Sequence, residues 1–151
     1  MKYFNVGILG TGSIAQSMAF TLNALKDKGD VVPYAIASRS LEKAEKFAQE
    51  WHFEQAYDNY EALVSDPSVD LIYIATPHSL HYEHALLCLN HGKNTLVEKS
   101  FTANALQAQE LLSLAADKKV LLAEAIWTRY MPSRKIITDL LDSGAIGRPQ
   151  P

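Results

Sequence analysis

Gly10-Thr11-Gly12-Ser13-Ile14-Ala15 has the spacing G-x-G-x-x-A. It follows a short apolar run, Tyr3 to Leu9, and opens an amphipathic stretch. In that context Gly10 permits a tight turn and Gly12, with no Cβ, lets a pyrophosphate approach the backbone. Ala15 is small enough for the helix to pack closely on a sheet. Free N–H groups around Thr11, Ser13 and Ile14 then face the phosphates, with the helix dipole behind them. The chemistry this predicts is dinucleotide binding.

The end of the second strand selects the dinucleotide. A carboxylate there would accept from the ribose 2′-OH, but this chain has Ala37-Ser38-Arg39-Ser40, and no acid lies between Asp30 and Glu42. Ser38 and Ser40 can donate to a 2′-phosphate, Arg39 can pair with it and lie over adenine, and Lys43 adds charge one turn on. NADP(H) is expected in preference to NAD(H), with NAD(H) still possible.

Ligands of open parallel sheets sit beyond the carboxyl ends of the strands. Three segments fall there: Ala75-Thr76-Pro77-His78-Ser79-Leu80-His81, Glu98-Lys99-Ser100, and Glu124 to Tyr130. Lys99, near a dry cleft and a cationic ring, has the position of a base, with Glu98 beside it to hold or tune it. His78 and His81 lack a third ligand of suitable spacing, since Glu83 and His84 fall on other faces of the helix, so no metal site is expected. His81 is read instead as bonding a loop or helix end near the cofactor. Trp127 and Arg129 fit either a reach toward the cofactor or a core Trp beside a surface Arg, and spacing does not choose between them.

The elements that must position these residues read as alternating strands and helices. Strands are expected at Tyr3–Leu9, Val31–Ala37, around Tyr57, and at Val69–Ala75, Asn94–Val97 and Val120–Ala123. Helices are expected from Ser13 to about Lys28, from Leu41 to Trp51 behind an N-cap at Ser40, and over Tyr60–Val64, Leu80–Asn90, Ala105–Asp117 and Tyr130–Leu141. In the fifth of these, Leu106, Leu111, Leu112 and Ala115 are assigned to one face. The pattern is α/β, a doubly wound parallel sheet with helices on both faces. Residues 1–124 form the dinucleotide-binding domain and 125–151 a loop, helix and connector toward a second α+β domain. The closing turn, Ser143 to Pro151, leads to no further element, so the chain reads as cut short.

Of 151 residues, 48% are apolar, and 14 basic against 17 acidic side chains give a net charge of -3. Those values describe a globular chain and exclude a disordered tail, a collagen or a disulfide scaffold. They give no electrostatic reason to bind nucleic acid or an anionic membrane. Without a long apolar run or a leader-like start, a cytoplasmic location is expected. The lone Cys88 reads as a buried apolar group.

Together, the glycine loop, Thr76-Pro77-x-x-x-His81 and Glu98-Lys99 resemble the N-terminal Rossmann domain of the glucose–fructose oxidoreductase/inositol dehydrogenase-like (Gfo/Idh/MocA) family. Glu124-Ala-Ile-Trp-Thr-Arg-Tyr-Met-Pro132 is similar to its dihydrodiol dehydrogenase branch. The resemblance implies Lys99 as catalytic acid/base, Ala75, Thr76 and Pro77 along the nicotinamide side, and Trp127 and Arg129 near the cofactor phosphates. It also implies a second domain, absent here, that carries substrate and often the dimer contact, so the chain alone is expected to bind cofactor without turnover. The family's Glu-Lys-Pro is Glu98-Lys99-Ser100 in this chain. The expected reaction moves a hydride between NADP(H) and a secondary alcohol of a sugar, cyclic polyol or dihydrodiol. A non-catalytic NAD(P)-sensing regulator is the alternative, and retention of Lys99 argues against it. A methyltransferase on the same fold is the weaker third, since it would want an acid where Ser38-Arg39 stands.

Overall fold

A computed structural model describes residues 4–26, 29 and 31–148. The chain alternates β1 (Phe4–Leu9), α1 (Ser13–Lys26), β2 (Val31–Ala37), α2 (Leu41–Trp51), β3 (Gln55–Tyr57), α3 (Tyr60–Ser65) and β4 (Leu71–Ile74). It continues through α4 (His81–Asn90), β5 (Asn94–Val97), α5 (Ala105–Lys118), β6 (Leu122–Glu124) and α6 (Pro132–Asp142). Single 3₁₀ turns, His78–Leu80 and Trp127–Tyr130, precede α4 and α6. All strands are parallel, in the order β3-β2-β1-β4-β5-β6. Chain order therefore reverses between β1 and β4, which opens a crevice at their carboxyl ends.

Both faces of the sheet are buried, as alternation along β1 shows. Val6 and Ile8 join Ala15, Ala19 and Leu22 of α1 and Phe47 of α2 on one face. Leu9 joins Leu63 of α3, Leu89 of α4 and Leu111 of α5 on the other. At Gly7 a Cβ would lie 2.9 Å from a Leu63 methyl, so α3 needs the glycine to approach. Cys88 is fully buried, as expected, and burial pushes its thiol up to about 12.

Expected and observed elements differ chiefly at their ends. Ser40 caps α2, its hydroxyl accepting from the Lys43 N–H at 3.5 Å. The first expected strand begins at Tyr3 and the first expected helix ends at Lys28, and both positions lie outside the described residues. The fourth strand is confined to Leu71–Ile74, because Val69 and Asp70 precede the pairing with β1 that starts at Leu71. The sixth strand is shifted to Leu122–Glu124, and α4 starts at His81 because the preceding turn is 3₁₀. The face assigned to α5 is corrected. Leu111 and Ala115 are buried, but Leu106 and Leu112 are 78% and 55% exposed. The Asn104 cap, which accepts from the Gln107 N–H at 3.0 Å, sets where α5 begins. Leu106 and Leu112 lie about 140° and 100° around the helix from Leu111, whereas Leu114 packs on the core beside it. On α6, Ile136, Ile137, Leu140 and Leu141 are all exposed.

Candidate functional site

The reversal in strand order opens a cavity of about 560 Å³ lined by Gly10 to Ile14, Ser38 to Ser40, Lys43, Tyr60 and Ala75 to Pro77. Separate chain segments converge there because each follows a strand end. Gly10 takes φ +99°, with its N–H donating to the Ala37 carbonyl at 2.9 Å, so the turn is locked to the end of β2. A Cβ on Gly10 would stand 3.0 Å from the Ala75 carbonyl oxygen. A Cβ on Gly12 would meet nothing within 4 Å and would project into open space. The first turn of α1 carries no acidic side chain, and its leading N–H groups have no acceptor within the helix. This is a cradle that fits a phosphate, so the residues present suit a dinucleotide.

Ser38 is buried, its N–H donating to the Tyr57 carbonyl at 3.1 Å. Arg39 and Lys43 are exposed beside it on the same wall. Two positive side chains and two hydroxyls therefore flank one end of the cavity, and no carboxylate lines it.

On the β4 side of the same cavity, Thr76 is held twice. Its carbonyl lies 2.9 Å from His81 Nε2, and its hydroxyl 2.8 Å from His84 Nδ1. His81 is fully buried, and its Nδ1 lies 2.7 Å from the Ser100 carbonyl. The ring thus ties the β4 loop to the segment after β5. Buried in this way, His81 is a positioning residue behind the loop.

Glu98 is buried. One carboxylate oxygen accepts from the Tyr73 hydroxyl in a short hydrogen bond, and the other from the Lys99 N–H at 3.1 Å. Glu98 therefore grips the backbone of Lys99, where the sequence suggested a hold on its amine. Burial and the Glu98 carboxylate drive the Tyr73 phenol far above its usual range. The Lys99–Ser100 peptide is cis. The Lys99 side chain is exposed, so the described residues do not by themselves build the dry cleft expected around it.

Trp127, 64% exposed, lines a second cavity with Tyr73, Glu98 and Met18, on the α1 side of the sheet. Arg129 lines a third with Arg134 and Lys135. The structure brings neither residue to the wall of the glycine-loop cavity. Among the described residues no His, Cys, Asp and Glu group could hold a metal ion, and no helix is long and apolar enough to cross a membrane.

Two residues of the site are not singled out by the sequence pattern. His84, one turn beyond His81 on α4, bonds Thr76 and stacks edge-on against Tyr60 with centroids 4.7 Å apart. Tyr60 is set at the start of α3 by its Asn59 cap, which accepts from the Ala62 N–H at 2.7 Å. The Asp58-Asn59 pair is the available signal, since a cap fixes the first turn of its helix.

Burial holds His84 below the usual imidazole range, with the His81 and Arg39 charges acting in the same sense against Glu83. An unfolded chain takes up this proton near pH 6.5, before the folded chain does. Stability is therefore complete above that pH and is lost as pH falls below it, with a slope of up to about 1.4 kcal/mol per pH unit from this group. Urea melts between pH 7.5 and 5 should show the decline, and His84→Gln should flatten it.

The family model for an oxidoreductase family with an NAD-binding Rossmann fold, GFO_IDH_MocA, matches residues 4–126. The D-xylose 1-dehydrogenase (NADP(+)) of Hypocrea jecorina is 42% identical over 93% of this chain and 38% of its own length. The trans-1,2-dihydrobenzene-1,2-diol dehydrogenase of Xenopus tropicalis is 42% identical over 93% of this chain and 42% of its own. The crystal structure of KijD10, a 3-ketoreductase from Actinomadura kijaniata, in complex with NADP superposes with a TM-score of 0.88. It is 32% identical and covers 97% of this chain and 46% of that one. The chain thus spans about two fifths of the length of these curated relatives.

Proposed function

The chain belongs to the Gfo/Idh/MocA oxidoreductase family, and on that premise we propose that it is the NADP(H)-binding part of a dehydrogenase acting on a secondary alcohol of a sugar, cyclic polyol or dihydrodiol. Residues 1–124 bind the dinucleotide, and 125–151 form the loop, helix and connector beside it. The observation that carries the reading is the convergence of the glycine loop with Ser38, Arg39, Ser40 and Lys43 on one cavity at the strand-order reversal. The xylose dehydrogenase and KijD10, named respectively with NADP(+) and NADP, support the same choice.

In this reading the α1 N-terminus and Gly12 receive the pyrophosphate. Ser38, Arg39 and Lys43 take the 2′-phosphate, and Ala75, Thr76 and Pro77 line the path toward the nicotinamide. Bound nicotinamide supplies the hydride chemistry. Lys99 takes or gives the hydroxyl proton of the alcohol at its Nζ, as general base or acid. Glu98 accepts the Lys99 N–H and so fixes the backbone from which that amine projects. Tyr73 fixes Glu98. For Trp127 and Arg129, which line other cavities, a role near the cofactor phosphates rests on the family resemblance alone.

Titration of the chain with NADPH and NADH tests the assignment. NADPH should bind more tightly, and Arg39→Ala should weaken NADPH by about 1–3 kcal/mol, the scale of a charged hydrogen bond, while leaving NADH nearly unchanged. Equal losses for the two cofactors would remove the 2′-phosphate from this site.

A further inference from the structure

Tyr60 comes to the cavity from α3, on the opposite face of the sheet from α2, whose first turn carries Lys43. Its ring is fixed in two ways. It packs on the core beneath α3 and α4, and it rests edge-on against His84, which is held by the Thr76 hydroxyl. Its hydroxyl makes no hydrogen bond among the described residues. The Arg39 charge acts on both the phenol and the His84 ring, so Tyr60 lies within the field that an anion on Arg39 would also occupy.

A fixed ring with an unused donor in a cationic cavity is a preorganised hydrogen bond. We infer that Tyr60 is a specificity residue for the phosphorylated ribose: its hydroxyl donates to the same phosphate that Arg39 pairs with, from the other wall of the cavity. This rests on the NADP(H) reading above. Under it, the 2′-phosphate is gripped between the β2–α2 turn and the start of α3. Preference for the phosphorylated cofactor then depends on the packing of α3 as well as on the serine-arginine turn. A phenol donor adds selectivity without adding charge, since an unphosphorylated ribose leaves it in contact with water.

Tyr60→Phe isolates the hydroxyl, because that oxygen has no partner in the chain to abandon and the ring contact with His84 remains. The variant should melt at the wild-type temperature. The probes are 2′,5′-ADP and ADP, with NADPH and NADH as the full cofactors, followed by calorimetry. Tyr60→Phe should weaken 2′,5′-ADP and NADPH roughly 10- to 100-fold, the scale of one hydrogen bond to a charged phosphate, and leave ADP and NADH within about twofold. Wild-type affinity for 2′,5′-ADP in the variant, while Arg39→Ala still loses it, would overturn the Tyr60 role alone. Equal losses for ADP and 2′,5′-ADP would overturn it in favour of a hydroxyl bond to a part of the nucleotide that both probes share. A wild-type chain that does not distinguish 2′,5′-ADP from ADP would overturn the NADP(H) reading itself, and the Tyr60 role with it.

Discussion

Gly10→Ala should lower the stability of the chain by about 2–4 kcal/mol, whereas Gly12→Ala should leave stability nearly intact and instead weaken NADPH and NADH together, about 10- to 100-fold. The two glycines stand two residues apart in one motif, yet their surroundings differ. Gly10 sits at φ +99°, where an L side chain is strained, and its new methyl would press on the Ala75 carbonyl at 3.0 Å. Main-chain atoms cannot swing aside, and moving either would disturb the Gly10 N–H bond to Ala37. At Gly12 the methyl meets no protein atom within 4 Å. It enters the space assigned to the pyrophosphate and pushes that group off the N–H donors of α1. One or two charged hydrogen bonds at about 1.5–3 kcal/mol each set the scale of that loss. Urea denaturation and cofactor titration of both variants read the two effects separately. A Gly12→Ala chain that binds NADPH normally would remove the phosphate from the loop.

His81→Leu should cost about 2–3 kcal/mol of stability and weaken both cofactors without altering the preference between them. The imidazole is fully buried between the carbonyls of Thr76 and Ser100. An apolar side chain of similar size fills the volume but donates nothing, and a buried carbonyl left without a donor costs about 1–3 kcal/mol. The cofactor loss arises because Thr76 lines the cavity while Ser100 adjoins Lys99. Releasing the tie lets the two segments drift apart. His81→Gln retains an N–H for one carbonyl and should recover part of both effects. A leucine variant that melts and binds like the wild type would show that the loops hold themselves. The preference should survive because Ser38 and Arg39 are positioned from β2, which His81 does not touch.

These variants also separate what is local in the chain from what is not. The glycine loop, the Ser40 cap, the buried Cys88 and the alternation of strands and helices were legible because each depends on neighbours in sequence. A turn, a cap and an apolar period are local physics. The parallel α/β class came from that alternation, since connections of helix length return each strand in the same direction. The exposure of Leu106 and Leu112 was not legible, because an apolar residue does not state which neighbour covers it. The sequence set an amphipathic helix at Ala105, but the cap and the docking of α5 chose Leu111, Leu114 and Ala115 as its inner face.

The same division runs through the site. Residue type and spacing determined by themselves that a glycine turn opening a helix lies after β1, that a cation and hydroxyls replace a carboxylate after β2, and that a lysine lies after β5. Only the tertiary structure decided how those segments are held. It placed Glu98 on the backbone of Lys99, set His81 between two loops 24 residues apart from Thr76 to Ser100, and brought Tyr60 from α3 to the wall of the glycine-loop cavity with His84 of α4 against it. It also left Trp127 and Arg129 facing other cavities. The physical reason is that a hydrogen bond between distant segments is specified by the crossing of strands and helices, a geometry that no window of neighbouring residues contains.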